Sequence, residues 1–492
     1  MQDAILTWRT ISGATQEGSI FDALAMLSAG EVDSFPALRS HQAEPWHAFC
    51  VQVAAIALAT SMRTDIPQDP ATWRDLLIKT TPEWPNGEAW SLVVEDHATP
   101  ALLQPPIDAD SRFPKDIATP DGIDILITGR NHEMKQSVIE QHVSEDWLFA
   151  LVTLQTAQGH LGTGNFGISR MNSGTGTRVI MRIKPPGGAS ASFLRDLKAL
   201  LARGVAPSSA ERPAILWTLP WSGESSLRLD DLHPLYVEIC RRVRLSADRS
   251  GNISARTWPS KVTRIENNLK GVTGCPWTPV DADGEKMVTP SATGYDLRNS
   301  IRHIDRTCTK RPYLCEISEE DPSEGLSYAI TALMREQGKT PKILIRRIPI
   351  PPLGRSPKEA LEAYDANIVA RQEDANIVSG ALNVALVGLS NVAGKPIKLD
   401  DQMKMLRIRP WQLIFDKGSE DIVFSAGIEL DTSEERENAR KRLTRLAQKV
   451  LRQASDALPR AVGTTKEGSL GRSSSFLYSM LTKKFKDENT AS

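Results

Sequence analysis

Many of the residues that announce an activity are scarce in this 492-residue chain, and each shortage removes a class of function. The five cysteines, Cys50, Cys240, Cys275, Cys308 and Cys315, are scattered without a C-x-x-C pair. That excludes a disulfide framework or zinc ribbon and suits reduced thiols. The eight histidines include no i, i+4 pair with a glutamate between and no cluster of ligand spacing, so neither a metal nor a metal nuclease is expected. No Gly-Lys-Ser/Thr ends a Walker A loop, and Ser169 and Ser173 lack the G-x-S-x-G setting of an activated nucleophile. Aromatics are only 6% of the chain, leaving few stacking platforms for single strands. The most apolar run, Ala48 to Ala59, includes Gln52 and is too short to cross a bilayer; it reads as a buried helix. The opening MQDAILTWRT has neither the basic nor the apolar region of a secretory signal, so a cytoplasmic protein with no membrane role is expected.

Acid is also missing locally. Between Asp146 and Asp196 lie 49 consecutive residues without Asp or Glu, and within them sits GHLGTGNFGISRMNSGTGTR, Gly159 to Arg178. Its six glycines let backbone N–H groups approach another backbone without Cβ atoms in the way, and Arg170 and Arg178 add positive charge. The plain alternative is a surface loop that turns sharply between core elements; the absent acids favour an anion-facing loop. Gly162 to Gly167 matches G-x-G-x-x-G, but no strand precedes it, no helix follows and the first acid comes only at Asp196, so a Rossmann cofactor site does not fit. His160 flanks the loop, as a phosphate contact or as loop packing.

The net charge is −1, but its distribution is uneven. Residues 1–129 carry 18 acids against 7 Lys/Arg, and the remainder carries +10. Arg241 to Lys270 holds eight Lys/Arg against two acids and reads as a basic surface. Backbone fit for phosphate, basic strips and few stacking aromatics together favour duplex DNA, bound through shape and backbone.

Patterning divides the chain. The first part reads as mixed α and β, with helices at Trp46–Arg63, Trp73–Lys79, Asp146–Gln158 and Ser190–Ala202, the last capped by Ser192. Strands are expected at Ile123–Gly129, Thr177–Lys184 and Pro341–Arg347, with short strands or turns at Ala214–Trp221 and Leu235–Val243. Pro349 to Gly354 marks a boundary, giving domains 1–355 and 356–492. Beyond it helical patterns run over Pro357–Ala370, Ala375–Val392, Gln402–Arg409 ahead of Pro410, Thr432–Leu458 and Ser475–Lys486. Thr432 and Glu435 form a capping box, and Ala439, Leu443, Leu446, Ala447, Val450, Leu451, Ala454 and Leu458 make an apolar stripe opposite Lys441, Arg442, Arg445, Lys449 and Arg452. The fold class is α+β: a mixed α/β N-terminal domain followed by a C-terminal four-helix bundle.

This order of features, sharpest at Leu102–Pro106, Ile125–Lys135, the glycine loop and the C-terminal helices, resembles the CasA family, the large subunit of the type I-E CRISPR surveillance complex Cascade. The resemblance implies a non-catalytic protein without cofactors. Its partners would be target double-stranded DNA, CRISPR RNA, the other Cascade subunits and a helicase-nuclease recruited after target binding. It implies that Gly162, Thr163, Gly164, Asn165 and Phe166, with Arg170 and Arg178 beside them, meet the protospacer-adjacent motif in the minor groove. A lysine finger falls at Lys261, with Arg264 as its rival. A strand-separating wedge falls near Gln337, Gly338 and Lys339 or at Arg346 and Arg347, although the family's Asn-Gln pair is missing there. Arg130, Asn131, His132 and Lys135 match a loop directed at the guide RNA or neighbouring subunits. Some members hold zinc after the segment matching Cys240; with only Cys240 and Cys275, none is expected here. The competing readings are a nucleotide- or phosphate-ligand-dependent enzyme using the glycine loop, and a scaffold whose loop merely packs.

Overall fold

A computed structural model describes residues 6–107, 114–124, 142–172, 177–290, 294–334, 342–389, 402–458 and 464–491. The chain forms two compact units: residues 1–290 with 306–347, and residues 291–305 with 348–492.

The first unit is mixed α and β. Strand β1 (Leu6–Thr10) lies between β2 (Thr15–Gly18) and β3 (Val32–Ser34), and α1 (Ile20–Ser28) connects β2 to β3. Helices α2 (Ala43–Thr60) and α3 (Pro70–Lys79) and strand β4 (Lys115–Ile117) precede α4 (Ser144–Ala157), which leads into the glycine loop. Next come β5 (Thr177–Lys184), α5 (Ala189–Ala202) and the hairpin of β6 (Arg242–Ala247) and β7 (Ile253–Trp258), whose β7 edge β4 joins. Strands β8 (Val280–Asp281) and β9 (Thr309–Lys310) form a two-residue ladder. Strand β10 (Ser327–Met334) runs antiparallel to β5, Met334 opposite Thr177 and Ser327 opposite Lys184, with β11 (Lys342–Pro349) on its other edge.

Helix α2 is apolar on nearly every face and is buried as the sequence predicts. Around it the tryptophans form the core: Trp46 meets Phe149 edge-on at 5.2 Å, and Trp90 meets Trp217 at 5.3 Å. Trp217 donates from Nε1 to Ala89 O at 2.7 Å, so burial costs it no hydrogen bond. Helix α5 starts one residue earlier than expected. Gly188 is its N-cap and Ser192 lies inside the helix, because Asp33 and Val32 pack so closely on Gly188 that a Cβ there would come within 2.5 Å of backbone. Ile123 and Asp124 are not in a strand, and the rest of the Ile123–Gly129 segment lies outside the described residues.

A buried charge network joins α2 to β5 and α5. Arg182 donates to Glu44 from Nε at 2.9 Å and from Nη2 at 3.3 Å, and His47 meets Asp196 at 2.8 Å. Burial acts to raise the Glu44 pKa, but Arg182 and His47 outweigh it and hold the carboxyl at about 2. A carboxylate with a depressed folded-state pKa contributes stability above its unfolded value and loses it as pH falls through the folded one. Glu44→Gln is therefore expected to lower the unfolding free energy at pH 7 by on the order of 3 kcal/mol. The difference from the parent should shrink from pH 4.5 toward pH 2, as followed by urea unfolding across that range.

The second unit is helical. It takes α6 (Leu297–Ile304) from the middle of the chain and adds α7 (Pro357–Leu389), α8 (Gln402–Val423), α9 (Ser433–Ala457) and α10 (Lys466–Ala491). Two corrections to the sequence reading arise here. The patterns at Pro357–Ala370 and Ala375–Val392 are one 33-residue helix, continuous because Arg371 and Asp374, which interrupt the apolar pattern, are buried in ion pairs. Helix α8 also runs through Pro410, which sits with Leu406 on an exposed face where water can take the carbonyl that proline leaves unbonded.

In α9 the capping box forms as expected, and Ala439, Leu443, Ala447, Val450, Leu451 and Ala454 are buried while the five basic residues opposite are exposed. Asp374, fully buried on α7, accepts from Arg436 at 3.0 and 3.1 Å and from Arg440 at 3.0 and 2.9 Å. Asp374→Ala strands two arginines and should cost about 3–5 kcal/mol, read as a lower unfolding midpoint with unchanged helical content at low temperature.

Candidate nucleic-acid interface

The glycine loop leaves the C-terminus of α4 and closes on itself. Ile168 N donates to Gln158 O at 3.0 Å, Leu161 N to Asn165 O at 2.8 Å and Asn165 N to Gly162 O at 2.9 Å. Two glycines take positive φ, Gly162 at 114° and Gly164 at 82°. Gly167 is required for a different reason: a Cβ would come within 2.8 Å of the backbone at Gly159 and His160. The turn leaves Thr163 and Asn165 exposed at its tip, while Phe166 is half-buried with its ring 5.5 Å from that of His160.

Two further loops lock onto this one. Ser260 N donates to Gly164 O at 3.0 Å, and Pro259 lies so close that a Cβ on Gly164 would reach its Cβ at 2.6 Å. Lys261 N in turn donates to Gly223 O at 2.7 Å. Segments 162–166, 259–262 and 222–224 thus form one interlocked platform, with Thr163, Asn165 and Lys261 exposed. Lys261 Nζ lies 3.0 Å from Glu224 Oε2, both side chains largely in solvent. Such a pair is worth little and exchanges readily for another anion. Sequence reasoning missed Pro259, Ser260 and Gly223: Trp-Pro-Ser and Ser-Gly-Glu signal turns, but nothing local says which turns meet.

The expected basic surface at Arg241–Lys270 is corrected by the structure, because Arg241, Arg242, Arg244 and Arg264 are buried. They bind loop carbonyls. Arg241 donates to Gly159 O at 2.9 Å, Arg242 to Pro259 O at 3.2 Å, and Arg244 to Thr99 O at 2.7 Å and Val94 O at 3.1 Å. Arg264 donates to Pro220 O and Leu219 O at 3.2 and 3.1 Å and lies over the Trp221 ring. Burial pushes its pKa down to about 10.

Arg170 and Arg178, expected beside the anion, also point inward. Arg170 donates to Glu238 at 2.9 Å and Tyr236 O at 2.7 Å, with its guanidinium 4.1 Å from the Tyr236 ring centre. Burial acts to lower its pKa, but Tyr236, Cys275 and Glu238 outweigh it, so the charge is kept. Arg178 donates to Thr156 O, and burial pushes its pKa down to about 10. Beside them, burial acts to raise the Cys275 thiol, yet Arg170 and Arg178 leave it below its ordinary value. These three arginines, with Arg264 the third, cannot reach an outside phosphate without breaking the core. The acid-free window was expected to face an outside anion; the anion that Arg170 meets is instead the buried carboxylate of Glu238.

Arg346 is half-buried on β11, and Arg347 is exposed and acts on Lys184 at the far end of β5. Gln337 and Lys339, like Arg130, Asn131, His132 and Lys135, lie outside the described residues. Among the described residues no group of three or more His, Cys, Asp or Glu could hold a metal ion, no disulfide joins the cysteines, and no helix is long and apolar enough to cross a membrane.

A mixed α/β unit followed by a helical unit defines a class of large two-part proteins, and solved structures of that class match along nearly the whole chain. The fold is that of CasA. Thermus thermophilus CasA (Cse1) aligns at TM-score 0.66 and 16% identity over 98% of each chain. Thermobifida fusca Cse1 aligns at 0.61 and 13%, over 98% of this chain and 97% of the other. A chain of a CRISPR RNA-guided surveillance complex aligns at 0.58 and 12%, over 97% and 98%. No family model and no curated protein matches the sequence. The structural likeness thus lies far below the level at which sequence retains it.

The loop geometry separates two glycines. Gly162→Ala meets no neighbour and should cost only its strained φ, about 1–2 kcal/mol. Gly167→Ala must displace backbone and should cost about 1–3 kcal/mol while accelerating amide exchange at Ile168, whose bond closes the loop. Hydrogen exchange on both variants distinguishes them.

Proposed function

We propose that this chain is the non-catalytic large subunit of a cytoplasmic CRISPR RNA-guided surveillance complex of the Cascade type. Its first unit reads the protospacer-adjacent motif in target double-stranded DNA and helps open the duplex, and the assembled complex then recruits a helicase-nuclease. CRISPR RNA and the other Cascade subunits are its standing partners; it needs no cofactor. The observation that carries the reading is the platform itself, on a chain with the CasA fold from end to end. Two side chains at the tip of a glycine turn and one exposed lysine are held together by backbone bonds from two other loops.

Thr163 and Asn165 are short polar groups, and the turn places them beside backbone in left-handed geometry that long side chains would crowd. Such a ridge fits the narrow minor groove, where few hydrogen-bonding patterns are distinguishable and a tolerant reader is adequate. Lys261 supplies the charge to hold the phosphate edge or enter the groove, exchanging Glu224 for DNA. Arg130, Asn131, His132 and Lys135 remain the proposed contacts to guide RNA or neighbouring subunits, and Gln337, Lys339, Arg346 and Arg347 the proposed wedge region. Arg170, Arg178 and Arg264 leave the list of direct DNA contacts and act by building the platform.

The test is motif-dependent binding of duplex DNA by the reconstituted complex. Lys261→Ala should weaken binding and either flatten the salt dependence by about one counterion or relax motif preference. Gly164→Val, which drives a branched side chain into Pro259, should weaken binding to motif-bearing DNA by about 1–3 kcal/mol. Arg264→Ala should lower thermal stability and leave the salt slope unchanged. Unaltered motif discrimination in both Lys261→Ala and Gly164→Val would remove the platform from DNA reading. Metal-dependent cleavage by the purified chain, abolished by a point mutation in it, would replace the whole proposal with an enzyme.

A further inference from the structure

A cavity of about 330 Å³ in the first unit, beside the start of α5, takes no part in the platform. Leu27, Phe35, Leu38, Trp46 and Phe193 give it apolar walls, and Glu44, His47, Arg182, Lys184 and Ser192 give it polar ones. Its volume lies in the range of small-molecule sites and is many times that of one water.

Its hydrogen-bonding groups are out of balance, and each of the unpartnered ones is able to donate. Trp46 Nε1 and Ser192 Oγ have no hydrogen-bond partner, although each residue is only 2% exposed. Arg182 Nη1 also lacks one; it stands 3.8 Å from Asp196 Oδ2, while Nε and Nη2 are occupied by Glu44. A buried donor without an acceptor is costly, and three around one cavity call for an acceptor inside it.

The charges say which kind. Each nearby carboxylate already has a partner: Glu44 binds Arg182, Asp196 binds His47 and Arg195, and Asp33 on the exposed rim accepts from Ser34 Oγ at 3.0 Å. Lys184, half-buried, has no carboxylate at ion-pair distance among the described residues. Burial, Arg182 and Arg347 all act to lower its pKa against Glu44 alone, a situation that a bound anion would relieve. Gly187 and Gly188 bring the amino end of the 14-residue α5 to the cavity, and no side chain caps it.

We propose that this cavity binds a small organic anion, a carboxylate or phosphate monoester on an apolar body. Trp46 Nε1–H, Ser192 Oγ–H, Arg182 and Lys184 hold the head, and Leu27, Phe35 and Phe193 hold the body. The site is independent of DNA reading, and its test needs only the full-length chain.

Benzoate and phenyl phosphate serve as probes, with benzyl alcohol as the neutral counterpart, in calorimetric titration and ¹⁵N-indole NMR. At least one anion should bind saturably and shift one indole N–H resonance, identified as Trp46 by its loss in Trp46→Phe. The stronger of the two anions assigns the head group. Trp46→Phe and Ser192→Ala should each weaken binding by roughly tenfold, the scale of a hydrogen bond to a charged group, and benzyl alcohol should not bind. Ser192→Ala removes a single oxygen, so the test does not depend on how the core tolerates a change at Trp46. No saturable binding of either anion, undiminished affinity in both variants, or equal affinity for benzyl alcohol would overturn the assignment.

Discussion

Buried arginine forks that bind loop carbonyls hold the first unit together. Much of that unit is irregular chain, and irregular chain leaves carbonyl oxygens that neither a helix nor a sheet can satisfy. A guanidinium presents five donors in a rigid plane, so one side chain can serve several carbonyls from separate segments. Arg244 collects oxygens from Val94, Asp96 and Thr99; Arg264 collects them from Leu216, Leu219 and Pro220. Arg241 and Arg242 are adjacent in sequence and reach Gly159 and Pro259, the bases of two of the loops that build the platform.

The site depends on that arrangement. A glycine turn alone would sample many conformations, because glycine loses the most freedom on being fixed. Here the turn is held by its own closing bonds, by Ser260 and Pro259 from one side, and through Arg241 at its root. The exposed groups are few, but their backbone is over-determined. A surface fixed in this way can meet a partner without large rearrangement, which keeps the entropic cost of binding low. Gln155 adds to the same frame: its amide donates to Leu103 O and Arg241 O while its oxygen accepts from the Cys240 and Arg241 amides.

The second unit uses a simpler rule. Its helices bury apolar stripes at three- and four-residue spacing, and the polar exceptions pair off: Arg371 with Asp431 in the turn before α9, and Asp374 with Arg436 and Arg440 on α9. Such pairs fix which turn of α7 faces which turn of α9, a register that small apolar residues by themselves would leave loosely defined. Lys441, Arg442, Arg445, Lys449 and Arg452 on the other face of α9 stay in solvent, in contrast to the buried arginines of the first unit.

Local pattern was enough to determine the α+β class, the strand at Thr177–Lys184, the apolar helix expected over Trp46–Arg63 and found at Ala43–Thr60, the capping box at Thr432 and the apolar stripe of α9. Each depends on neighbours within a few residues, where side-chain periodicity and capping chemistry act directly. The glycine loop was also legible, since six glycines in an acid-free window are a property of composition. What the sequence could not distinguish was an arginine facing solvent from one facing carbonyls: Lys261 and Arg264 stand three residues apart in the same basic stretch, one exposed and the other buried under Trp221. Only tertiary structure decides that, because the partner oxygens lie far off in sequence, 44 to 48 positions away for Arg264 and 140 to 150 for Arg244. The meeting of Gly164 with Ser260 and of Lys261 with Gly223 has the same origin. A turn signal says that the chain bends, while the packing of the whole unit decides what it bends against.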